Sequence, residues 1–126
     1  MSQWFTAVLA MQCRINGVPD GATDLQFRVL HADDHEDAYA RALALGANAV
    51  ESYLNASGEN VTWTFAGLFD LDLIDAASIG DGTEVFSLRS EKPIANLVKE
   101  KSSLAAFWLE ANKHRTVREL LGGNDA

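Results

Sequence analysis

From Val61 to Leu73 the sequence reads VTWTFAGLFDLDL, and this alternation limits the fold more than any other stretch. Successive side chains of a strand point to opposite faces, so Val61, Trp63, Phe65, Phe69, Leu71 and Leu73 are expected to share one apolar face. Gly67 interrupts that face. A glycine inside a long strand marks a bulge or a bend, so the strand is expected to pair first with residues 50–55 and then to turn to a second partner. The turn to the first partner is NASGEN, with Gly58 free to take positive φ. The second partner is expected at residues 83–89, reached through the turn dipeptide Asp81-Gly82.

The flanking segments read as a sheet with one helix on it. Residues 4–15 alternate, with Phe5, Ala7, Leu9, Met11, Cys13 and Ile15 on one face. NGVPDGAT holds two turn signals and predicts a long loop into a second strand, 24–31, with Leu25, Phe27 and Val29 inward and Gln26 and Arg28 outward. ADDHEDAYARALALG reads as a helix over 34–46. Asp33 and Glu36 stand in capping-box spacing, Ala38, Tyr39, Ala42, Leu43 and Leu45 form a stripe, and Gly46 supplies the stop. Beyond Pro93, the stripe Ile94, Leu97, Val98, Leu104, Ala105 and Trp108 predicts a long helix over 93–111, followed by a short one near 117–121. The expected fold is α+β, an antiparallel sheet of about five strands in β-β-α-β-β-β order with one helix on a face. Residues 1–90 would form this core, and residues 91–126 a helical C-terminal extension packed on the core or on a partner subunit.

Charge narrows the function classes. The net charge of −8 is unevenly spread: residues 1–90 hold four arginines against thirteen acids, whereas residues 91–126 hold six basic residues against five acids. A core this acidic repels phosphate backbones and suits a basic protein partner. A nucleic-acid role survives only if Lys99, Lys101, Lys113, Arg115 and Arg118 share one face of the extension. The N-terminal apolar run lacks a basic lead and is broken by Gln12 and Arg14, which predicts no signal peptide or membrane anchor and a cytoplasmic address. The single cysteine, Cys13, lies within the apolar alternation and reads as a buried, inert thiol.

Several clusters invite chemistry. His31, Asp33, Asp34 and His35 lie close in sequence, but a strand end and a helix start intervene and no third ligand has fixed spacing, so neither metal nor cofactor is expected. Asp70, Asp72 and Asp75 alternate, with Glu84 near them across the Asp81-Gly82 turn. Such carboxylates can hold a hard cation or act as an acid/base pair, yet a strand face offers no ligand loop and no cleft. They are expected to be a solvated acidic face, and the best candidates for contact with a basic partner. Asn55 and Glu59 flank NASGEN in positions suited to holding the turn. No nucleophile motif and no phosphate-binding glycine loop occurs. On the extension, Phe107 projects opposite the stripe and is a second contact candidate, while Leu97, Leu104 and Trp108 would form a seam if two copies met there.

WFTAVL near the start, HADDHEDAYARALALG, YLNASGENVTWTFAGLFDL and DGTEVFS follow one another in an order that resembles a small bacterial family known as domain of unknown function 4288. The matching positions include Trp4, Ala7, Leu9, Tyr53, Asn55, Gly58, Glu59, Trp63, Phe65, Gly67, Asp70, Gly82, Glu84 and Ser87, over about residues 4–90. The resemblance implies a shared fold and a bacterial host, and brings no activity or catalytic residue. The functional expectation is a non-enzymatic protein-binding module, an acidic inhibitor or immunity-type protein. The alternative is a small hydrolase or metal-dependent enzyme using Asp70, Asp72, Glu84 or His35.

Overall fold

A computed structural model describes residues 2–107. The element order is β1 (Gln3–Ile15), β2 (Val18–Ala32), α1 (His35–Asn48), β3 (Glu51–Leu54) and β4 (Asn60–Leu73). The four strands form one antiparallel sheet in the order β2-β1-β4-β3. The fold is thus α+β with a single helix on one face. Among the described residues no helix is long and apolar enough to cross a membrane.

β1 is the spine of the core. Phe5, Ala7, Leu9 and Met11 are buried beneath α1, together with Leu30, Ala32, Ala38 and Ala42. Trp63, Phe65, Leu68 and Leu71 of β4 pack around that cluster. Thr6 and Val8, on the opposite face, are as fully buried, so the central strand is dry on both sides. The segment after β4 provides that second cover: Thr6 Oγ1 donates to the Val85 carbonyl, and the Phe86 ring meets Phe27 edge-on at 5.1 Å.

Several details differ from the sequence expectation, each for a local reason. The first hairpin is tight, not long, because Asn16 and Gly17 both take positive φ (50° and 81°), the geometry that matches strand twist in a two-residue loop. β2 therefore begins at Val18, and Asp20–Ala22 form an irregularity opposite Cys13, between the pairs Arg14↔Pro19 and Gln12↔Thr23. In β2, Gln26 and Arg28 lie on the helix side, opposite Leu9 and Ala7, whereas Leu25, Phe27 and Val29 share the side of Val8 and Thr6. That is the reverse of a simple buried-apolar reading. The helix cap is one residue later than expected: the Asp34 carboxylate accepts from the Asp37 N–H (2.8 Å), and the Asp37 carboxylate accepts from the Asp33 N–H (3.0 Å).

Gly46 does not stop α1, which continues to Asn48. The glycine is needed for contact, since any Cβ there would run into the Phe65 ring. Tyr39 and Leu43, expected in the buried stripe, are 51% and 38% exposed; only the smaller Ala38, Ala42 and Gly46 fit fully beneath the helix.

β4 pairs with β1 almost throughout, and two register shifts leave Ala66 and Phe69 without a partner on β1. Gly67, at φ 150°, sits between them, as its position in the strand suggested. The shifts put Leu68, not Phe69, opposite Leu9, and leave Phe69 54% exposed. Residues 83–89 form no strand, so the sheet has four strands among the described residues and not five. Of these residues, Val85 and Phe86 lie on a face of the sheet, through the Val85 carbonyl and the Phe86 ring.

The chain divides into two compact units at Ser87–Leu88. Within the described part of the second unit, the expected long helix is replaced by three single 3-10 turns, Ile94–Asn96, Lys101–Ser103 and Ala105–Phe107. The rest of that helix, and the short one near 117–121, lie outside the described residues.

Candidate partner-binding surface

Between Arg41 and Arg89 the chain carries no lysine, arginine or histidine, but seven acids: Glu51, Glu59, Asp70, Asp72, Asp75, Asp81 and Glu84. Every one except Glu59 is exposed. The fold places these residues on β3, β4 and the segment that follows, so one flank of the sheet is uniformly negative.

The register fixes where the β4 acids stand. Asp70 lies opposite Val8 and Asp72 opposite Thr6, so both occupy the face away from α1. The segment carrying Glu84 crosses this same face, since its neighbour Val85 is bonded to Thr6. Asp75 follows Ile74, which is buried and whose N–H donates to the Trp4 carbonyl (2.9 Å). The sequence candidates Asp70, Asp72, Asp75 and Glu84 therefore belong to one region. Phe107 lies in the second unit, where its 52% exposed ring faces Lys101 Nζ at 5.2 Å. Of the expected seam, Leu97 is half-buried, Leu104 is 43% exposed, and Trp108 lies outside the described residues.

The other clusters have structural partners. Asn55 and Glu59 clip their own turn: Asn55 Oδ1 accepts the N–H groups of Ser57 (3.0 Å) and Glu59 (2.9 Å), and Asn55 Nδ2 donates to Glu59 Oε1 (3.1 Å). His31 stacks on Trp4 with centroids 4.4 Å apart, Asp34 caps α1, and Asp33 accepts from Ser2 Oγ. Trp63 Nε1 donates to the Tyr53 hydroxyl at 3.4 Å, and its ring leans on the core. Cys13 is buried, and burial, reinforced by the nearby Asp20 carboxylate, raises its thiol pKa. Such a thiol is a poor nucleophile. Among the described residues no three His, Cys, Asp or Glu side chains are grouped to hold a metal ion.

Residues 4–87 match the family model described as Domain of unknown function (DUF4288). The chain belongs to this family. No curated protein and no solved structure matches it. The DUF4288 match ends at Ser87, where the internal contacts also divide, so the whole acidic flank lies inside the DUF4288 domain and Leu97, Leu104 and Phe107 lie beyond it.

Two features of this surface escaped the sequence reading. The re-aiming of Phe69 depends on bulges whose positions only pairing reveals. The absence of basic residues from 42 to 88 was visible, but a charge summed over residues 1–90 spread it over the whole domain.

Proposed function

We propose that this DUF4288 protein is a non-enzymatic protein-binding module that takes a basic partner on the flank formed by β4 and residues 74–87, in the manner of an inhibitor or immunity-type protein masking a basic surface. The observation that supports this reading is the forty-odd residues of sheet and connection that carry exposed carboxylates and no cation. Fields of one sign steer oppositely charged partners and reject like-charged ones, nucleic acid included.

The test is binding to a basic folded protein probe across salt. Retention is expected near ~10 mM salt, where charges act over about 30 Å, and release near 1 M, where they act over about 3 Å. Exchanging Asp70, Asp72, Asp75 and Glu84 for their amides should abolish retention. If binding ignores salt and these exchanges, the reading fails. A divalent cation that raises Tm would favour the alternative, a carboxylate-based hydrolase or metal-dependent enzyme, because a ligand held only by the native state stabilises it.

A further inference from the structure

β3 ladders with β4 only from Asn60 to Trp63, so beyond that point β4 has β1 on one side and, among the described residues, no strand on the other. The bonding phase of this open edge follows from one contact. Ile74 N–H donates to the Trp4 carbonyl, in register with the pair Leu73↔Phe5. Antiparallel pairs alternate between bonded and non-bonded, so Asp72–Thr6 and Asp70–Val8 are the bonded pairs. The N–H and C=O groups of Leu71 and Leu73 therefore point away from β1, toward the side where no described residue forms a strand. Asp70 Oδ1 accepts the Leu71 N–H at 2.8 Å, so the outward N–H is held by a side chain that a carbonyl of an incoming strand would displace.

The same four residues carry two-faced chemistry. Asp70 and Asp72 stand exposed on the face away from α1, while Leu71 packs at the core margin and Leu73, on the helix side, is 46% exposed. The register shift at Phe69 ends the regular edge, which limits it to a short strand of about the length of β3.

We propose that the edge of β4 at Asp70–Leu73 accepts a short strand of a partner protein in which Lys or Arg alternates with apolar residues. The strand would extend the sheet beyond β4, in line with β3, by β-augmentation. This rests on the basic-partner reading above and assigns it a place and a mode. Main-chain bonds form to Leu71 and Leu73, the incoming cations lie beside Asp70 and Asp72, and the incoming apolar residues lie beside Leu71 and Leu73. A second copy of this chain is a poor occupant, because it would bring the same carboxylates against these.

The test uses the full chain, isotope-labelled, with a blocked hexapeptide alternating Lys and Val and a control alternating Glu and Val. The Lys peptide is expected to slow amide exchange at Leu71 and Leu73 by at least about tenfold, with Asp70 and Asp72 amides unchanged. The Glu peptide should do nothing. Asp70→Asn with Asp72→Asn should weaken binding about threefold to tenfold, since each opposite-charge cross-strand pair contributes a fraction of a kcal/mol. Both positions are exposed, so the variant's spectrum serves as its own check of folding. Salt-sensitive binding with Leu71 and Leu73 still freely exchanging overturns the edge and leaves the basic-partner reading standing. If neither the Lys peptide nor polylysine is held at low salt, that reading falls and the edge with it. Protection that appears with concentration of the chain alone makes a second copy the occupant and overturns the proposal.

Discussion

On the helix side of β1, Phe5, Ala7, Leu9 and Met11 meet a regular element whose own small residues let it lie close. On the other side, Thr6 and Val8 are equally dry, yet what covers them is an irregular segment touching the sheet through Val85 and Phe86. Burial alone does not distinguish the two covers; their shape does. The helix side is a fitted contact in which Gly46 admits the Phe65 ring. The arm side is a single pass of chain, leaving Phe27 40% and Val29 48% exposed beside it. Interiors are close-packed, so the fitted contact should tolerate no added volume and the arm should adjust at modest cost.

Two substitutions set this contrast at its widest. Gly46→Val forces two methyls and a branched Cβ into the Phe65 ring and should cost about 3 kcal/mol. Urea unfolding should show a lower midpoint with the slope retained. Phe86→Ala, which removes the arm's ring contact with Phe27, should cost about 1–2 kcal/mol, because the ring is only half-buried. Amide exchange should then quicken at Thr6 and Val8 and not along α1. If Gly46→Val is silent, or if Phe86→Ala loosens both sides alike, the two covers do not differ as described.

The sequence disclosed what depends on period and missed what depends on pairing. The alternation of residues 4–15, the helix over the middle of 34–46 and the Asn55–Glu59 turn follow from spacing and short-range hydrogen bonds, which a chain carries within itself. Phe69 could not be placed, because bulges at Ala66 and Phe69 are settled by a strand more than fifty residues away. Residues 83–89 alternate like a strand, yet none of them joins the sheet as one, and the Phe86 ring meets Phe27 on its face instead. Gly46 shows the same limit: glycine near a helix end commonly means a cap, and only the arrival of Phe65 reveals the other use. Of the candidate surface, Asp70 and Asp72 were legible from alternation, whereas the outward phase of Leu71 and Leu73 required the Ile74–Trp4 bond.

pH offers the finest probe of the comparison, because an ionisable clasp holds the start of α1. Asp37 accepts the Asp33 N–H and pairs with Arg41 at 3.1 Å, and both hold its carboxyl below the usual range, the backbone bond more than the arginine. A carboxylate whose folded pKa is depressed binds its proton more readily in the unfolded chain. Its contribution is therefore complete above the ordinary aspartate value of about 3.9 and is lost as pH falls through the lower folded value. Asp37→Asn should remove this dependence, flattening the acid limb of stability against pH relative to the parent. In the parent, amide exchange at the start of α1 should rise on acidification before Thr6 and Val8 respond, since among the described residues no ionisable bond fastens the arm to them. An equal response on both faces would mean that the clasp serves the whole domain, and that helix and arm are released together.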